Sequence, residues 1–343
     1  MTTTPAAPNR SDPVTDEPRN HSVASMTLIG TGAHRYAVDH SWARLPAGKR
    51  FGYTHGVVED RQGRIFIANQ SPDAIMVFDE NGKFISSWGA AYEKGAHGLT
   101  LAVEGGEEVL YLANTDLREV VKTTLEGDVI WKRGAPDRPD IYGAGETYSP
   151  TETAVSADGR VYVADGYGQS WVHVYESDGT YVHSFGGRGE APENLNSPHG
   201  VSIDSRGDQP VVQVSDRNNV RVVNFDLDGN FLSVVLDRDN LRFPCTTVHA
   251  GGLLYVPDLF ARVSIFDQSN RKLVDLGDYF DGDGPESWNE ITERLDEYPN
   301  LPQAKRYTGK FISPHSLWVD GRGNIYVVEW IMDGRVTKLT RQA

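Results

Sequence analysis

The chain has 343 residues, 24% of them charged and 38% hydrophobic, a globular composition with enough apolar material for a large core. Its 48 acidic against 33 basic residues give a formal net charge of -15, which argues against a nucleic-acid partner, because phosphate-backbone binding needs clustered Lys and Arg to displace counterions. Cys245 is the single cysteine, so no internal disulfide forms, in keeping with a reducing compartment.

Residues 1–25, rich in Thr, Pro, Asn and Asp, lack the apolar run of a signal peptide and read as a disordered tail. No later segment has the apolar length needed to cross a membrane, so no membrane partner is expected and a cytoplasmic location follows by default. From residue 26 onward the chain is organised by a repeat of four short strands joined by Asp/Asn/Gly turns.

The first copy runs from His55-Gly56-Val57-Val58 through the turn Asp60–Gly63, Arg64–Ala68, Ala74–Phe78, the turn Asp79–Gly82, and Lys83–Trp88. Each apolar run is four or five residues long with β-branched and aromatic members, and each turn carries a residue suited to positive φ. The second copy runs from His97 to Trp131, the third from Thr151 to Phe185, the fourth from His199 to Val235, and the fifth from Cys245 to Leu276. The sixth begins at His315 and supplies only three strands before the C-terminus. A ring of blades must close to remove its edges, so the missing strand is expected from Arg35–Asp39 or its neighbour Met26–Ile29. The expectation is an all-β, six-bladed propeller closed by an N-terminal strand, in one domain over 26–343, because half a ring has no core of its own.

Two segments break the period. Gly134–Tyr148 is a Gly/Pro-rich loop, and about 278–311 is a longer insertion with a helix-like stretch, Glu286–Leu295, read as a lid or wall beside the channel. Within it Asp281-Gly282-Asp283-Gly284 lacks the remaining ligands of an EF-hand.

In a propeller the first strand of each blade lines the central channel, so the start positions His55, His97, Thr151, His199, Cys245 and His315 face one mouth of the axis. His97, His199 and His315 come from alternate blades and form a triangle suited to a catalytic zinc or a similar borderline metal. His55 and Cys245 lie between them as extra ligands or as partners of the ligands. Loops on the same face bring Asp165-Gly166-Tyr167-Gly168 and Asp216-Arg217-Asn218-Asn219, which nominate Tyr167 for proton transfer and Arg217 for holding a carboxylate. His55 joins those two as a catalytic candidate, and Thr151, Glu152 and Arg50 complete the channel candidates.

These units resemble NHL repeats. The ordered set Ala96-His97-Gly98-Leu99, Ser149-Pro150-Thr151-Glu152, Ala164-Asp165-Gly166-Tyr167, Ser197-Pro198-His199, Ser215-Asp216-Arg217-Asn218 and Ser313-Pro314-His315 is similar to the peptidyl-α-hydroxyglycine α-amidating lyases. That resemblance implies a zinc held by His97, His199 and His315, a catalytic tyrosine at Tyr167 with an arginine beside it at Arg217, and cleavage of a carbinolamine to an amide and glyoxylate. The family's arginine in the first blade has Arg50 as its nearest counterpart. Its calcium would lose an acidic ligand, because Ser316 follows the last histidine, and Ser313 stands where the family has methionine. The expected function is a metal-dependent lyase acting on a small molecule at a hydroxylated carbon. A metal-dependent hydrolase using activated water and a non-catalytic binding propeller are the alternatives. The sequence leaves the oligomeric state open.

Overall fold

In a computed structural model that describes residues 26–280 and 305–342, six antiparallel sheets are arranged as the blades of a propeller. Blade one contains Thr54–Glu59, Ile65–Asn69, Ile75–Phe78 and Phe84–Trp88. The inner strands of blades two to six are Ala96–Glu104, Glu152–Val155, Pro198–Asp204, Val248–Ala250 and Pro314–Val319. The tail at 1–25, the helix-like Glu286–Leu295 and the Asp281–Gly284 stretch lie outside the described residues.

Both N-terminal candidates take part in closure. Tyr36–Asp39 pairs with the C-terminal strand Arg335–Arg341, with Val38 opposite Leu339, and Leu28–Ile29 adds a fifth strand outside it. The ring is thus fastened by chain segments some 300 residues apart, which removes the edge that a three-stranded sixth blade would expose.

The middle strands are buried on both faces, as in Ile65–Asn69 and Arg262–Phe266, which accounts for their continuous apolar runs. Apolar side chains fill the wedges between blades: Phe66, Ile75 and Val77 of blade one pack with Leu99, Leu110 and Leu112 of blade two. At roughly 25 cal/mol per Å² of apolar surface removed from water, these wedges hold the ring together.

A second device recurs at the end of every second strand. Asn69, Asn114, Asp165, Asp216, Asp258 and Glu329 are all fully buried. Five of them accept backbone N–H groups from the segment leading into their own blade's inner strand: Gly52 to Asn69, Ser149 to Asp165, Asn196 to Asp216, Arg242 and Phe243 to Asp258, and Ile312 and Ser313 to Glu329. Asn114 instead accepts from Leu117. The five therefore hold the segments that deliver the start positions to the channel mouth.

Candidate metal centre at the channel mouth

All four start-position histidines are buried and together. Ring centroids are 4.9 Å apart for His97–His199, 4.8 Å for His199–His315 and 4.6 Å for His97–His315. The alternate-blade triangle expected from the sequence is therefore nearly equilateral. His55 stacks beside two of its members, 4.5 Å from His97 and 4.6 Å from His315.

Local backbone explains why these side chains converge. The inner-strand register slips at each histidine: between Thr54 and Gly56, Ala96 and Leu99, Pro198 and Gly200, and Pro314 and Ser316. Blade five shifts in the same way, with Pro244 opposite Asp258 and Val248 opposite Tyr255, so the slip is not confined to the blades that carry a histidine. A bulge leaves one residue unpaired and re-aims its side chain, which at these four points turns an imidazole onto the axis.

The bulged imidazoles are oriented by the next blade. The Nδ1–H of His97 donates to the Thr151 carbonyl at 2.7 Å, that of His199 to the Cys245 carbonyl at 2.9 Å, and that of His315 to the His55 carbonyl at 2.9 Å. Such a bond fixes the tautomer and leaves the Nε2 lone pair free to bind a metal. At His97 and His199 the glycine that follows makes the approach possible, whereas Ser316 follows His315. A Cβ on Gly98 would lie 2.5 Å from the Thr151 carbonyl oxygen, and one on Gly200 would lie 2.5 Å from that of Cys245. Burial, foremost, lowers the pKa of His97, His199 and His315 well below the usual imidazole value and that of His55 to about 3. The cluster therefore presents neutral imidazoles, the ligating form.

This donor set fits a borderline divalent ion and not calcium, which takes oxygen ligands. Ligand atoms of His55, His97 and His315 lie within 4.8 Å of one another, as do those of His199, Cys245 and His315. The Cys245 thiol is fully buried, which pushes its pKa up to about 12.

The two loop residues also arrive. The Tyr167 hydroxyl is 3.0 Å from Nε2 of His199 and 3.4 Å from Nε2 of His97, between the two rings. Its loop is flattened by contacts that leave no room for a Cβ at Gly166, which would meet Thr151 Oγ1 at 2.4 Å. Tyr167 is 45% exposed as a residue, but desolvation of its hydroxyl against the imidazoles raises the tyrosine pKa, and the Arg217 guanidinium opposes that rise. Arg217 is buried, with its guanidinium 5.3 Å from the centre of the Tyr167 ring and 4.9 Å from that of Phe243. Its Nε has no hydrogen-bond partner, and among the described residues no carboxylate pairs with it. Beside it a polar cavity of about 270 Å³ is lined by Tyr167, Arg188, Asn196, Ser197, Arg217 and Asn218.

The other candidates are placed differently. Thr151 contributes its backbone carbonyl, while its hydroxyl donates to the carbonyls of Ala164 and Pro198. Glu152 lines the channel below the imidazoles with Leu99, Val201 and Thr246, and burial lifts its carboxyl to about 8. Arg50 is exposed in the loop before blade one.

Sequence reasoning missed Arg188 and the aromatic Phe243. Phe243 stands two residues before Cys245 as Tyr53 stands two before His55, an offset shared by two blades that could have pointed to the mouth.

A family model described as a 6-bladed beta-propeller matches residues 152–285. NHL repeat-containing protein 3 of Homo sapiens is 26% identical over 205 residues, covering 56% of this chain and 57% of its own. The chain is a six-bladed β-propeller. This propeller is also 26% identical over 152 residues to a probable peptidyl-α-hydroxyglycine α-amidating lyase of Caenorhabditis elegans, covering 43% and 41% of the two chains. It spans about half the length of the curated relatives it matches. In fold it is similar to a streptogramin B lyase, with a TM-score of 0.59, 10% identity and coverage of 90% and 98%. A luciferin-regenerating enzyme gives a TM-score of 0.56, 11% identity and coverage of 89% and 95%. Among the described residues, no helix is long and apolar enough to cross a membrane.

Proposed function

We propose that this propeller is a metal-dependent lyase that breaks a C–N or C–O bond at a hydroxylated carbon. The observation that carries the reading is the triangle of His97, His199 and His315, each with Nδ1–H given to a backbone carbonyl, facing the Tyr167 hydroxyl. Those three residues would hold the ion, most simply zinc, which when bound polarises a hydroxyl or carbonyl oxygen of the substrate as a Lewis acid.

The chain's own residues do the rest. Tyr167, whose hydroxyl is within hydrogen-bond reach of the ligand face and is kept protonated by its raised pKa, would exchange a proton with the reacting group. Arg217 offers a cation that has no carboxylate partner among the described residues to an anionic substrate group in the adjoining polar cavity. For a carbinolamine the balance is simple. The hydroxyl proton leaves, the oxygen's electrons form the carbonyl, the C–N bond breaks, and nitrogen takes up one proton. Amide and aldehyde result without oxidant or water.

The similarity to the probable amidating lyase supports an N-acyl-α-hydroxyglycine as the first probe. Expected products are one amide and one glyoxylate per turnover in protein carrying stoichiometric metal, with no oxygen taken from ¹⁸O-labelled solvent into the amide. Solvent ¹⁸O incorporated into the product of a lactone or ester substrate, without lyase turnover, supports metal-activated water and a hydrolase instead. Metal-free protein with an intact channel overturns both.

A further inference from the structure

The start positions divide into two sets with different duties. Blades two, four and six supply imidazoles, and blades three, five and one supply the carbonyls of Thr151, Cys245 and His55 that orient them. In blade three the backbone alone meets that duty, because the Thr151 hydroxyl is turned to the carbonyls of Ala164 and Pro198. Blade one meets it with the His55 carbonyl and then adds a buried imidazole that the relay does not require.

That imidazole has the features of a donor. His55 sits at a bulge like the three other histidines. Its Nδ1 is occupied by the Tyr53 carbonyl at 3.1 Å, which leaves Nε2 for a ligand. Its donor atom lies within 4.8 Å of those of His97 and His315. It approaches them from the side opposite His199 and Tyr167, since His55 closes on His97 and His315 while Tyr167 lies against His97 and His199.

We propose that His55 is a fourth metal ligand, so that the mouth of the channel is a four-imidazole centre for a divalent first-row metal and not a three-histidine one. This inference rests on the metal reading of the same site. Its consequence is a choice of ion: four imidazoles plus one oxygen, from solvent or substrate, make at least five ligands, which suits Co²⁺, Fe²⁺, Mn²⁺ or Ni²⁺ as well as zinc and disfavours a purely tetrahedral site.

The probe is Co²⁺ added to chelator-treated, full-length protein, read by visible absorption and by titration calorimetry. Wild type is expected to give the weak visible bands of five- or six-coordinate cobalt. His55→Ala and the bulkier His55→Gln are expected to give the stronger bands of a four-coordinate ion, with affinity lowered about tenfold or more. Circular dichroism melts of both variants separate lost ligation from lost folding. Both variants retaining the wild-type spectrum and affinity, while His199→Ala loses cobalt, overturns the fourth-ligand assignment and leaves the three-histidine reading standing. Wild-type protein that takes up no cobalt, zinc, iron, manganese or nickel overturns the metal reading itself and this inference with it.

Discussion

The Nδ1–H of His315 donates to the carbonyl oxygen of His55 at 2.9 Å, across the seam where the last blade meets the first. Closure of the ring and orientation of a candidate ligand are thus one event. The equivalent bonds from His97 to Thr151 and from His199 to Cys245 repeat it at every second blade boundary.

Disturbing the carbonyls should loosen metal without removing a ligand. In Gly98→Ala the new methyl would sit 2.5 Å from the Thr151 oxygen, forcing that strand away and releasing the His97 ring. Zinc affinity measured by competition with a chromophoric chelator should fall by about 10–100-fold, as for other losses of ligand-orienting partners. Unchanged affinity would show that the relay does not tune the site.

Tyr167→Phe keeps the ring under the Arg217 guanidinium and deletes only the hydroxyl facing His199. Metal content should stay stoichiometric while kcat drops by about 10²–10⁴-fold, the usual range for a positioned proton donor or acceptor. Full turnover in this variant would remove Tyr167 from proton transfer.

Arg217→Met preserves much of the packing against Tyr167 and Phe243 but removes the charge. With a carboxylate-bearing substrate, KM should rise by about one to two orders of magnitude, since hydrogen bonds to charged groups contribute about 1.5–3 kcal/mol. The amide of the same substrate should show little change in KM between wild type and variant. An equal rise for both would mean that Arg217 does not read the anion.

Glu329 is fully buried, takes two contacts from the Arg335 guanidinium and accepts the Ile312 N–H at 2.7 Å. Glu329→Ala strands the arginine and frees the segment before His315, a change that costs about 3–5 kcal/mol in comparable buried pairs. Urea unfolding of the metal-free protein checks this. A cost under about 1 kcal/mol would place the pair with weak surface ion pairs.

Stability of the metal-free protein should fall on both flanks of the pH range. Burial depresses the four imidazoles, His55 to about 3. The unfolded chain therefore binds more protons below the ordinary value of 6.5, and their contribution is lost as pH falls from there. Glu152 is shifted the other way, from 4.5 to about 8, so the unfolded state releases its proton first and stability declines as pH rises through that window. Unfolding midpoints against pH should show both slopes, and Glu152→Gln should abolish the second. A Glu152→Gln curve that tracks wild type would assign the alkaline slope elsewhere.

Much of this was legible in the sequence because a propeller is built from local units. Alternating apolar runs and Asp/Gly turns mark the strands within some forty residues, and counting units places His97, His199 and His315 on alternate blades without any long-range information. The incomplete sixth copy likewise demands an N-terminal strand, although periodicity could not show that both Tyr36–Asp39 and Leu28–Ile29 would join it.

What tertiary structure decided is the chemistry at those points. The bulges that re-aim the histidines, the carbonyls that fix their tautomers and the placement of Tyr167 between two of them depend on neighbouring blades. The partners in the relay are separated by 54, 46 and 260 residues. No local pattern encodes such contacts, because they exist only once hydrophobic packing has pressed each inner strand against the next. The same packing separates His55 and Cys245 from Thr151: by repeat position all three are equivalent, and only the folded ring sets the His55 imidazole beside His97 and His315 and the Cys245 thiol near His199 and His315.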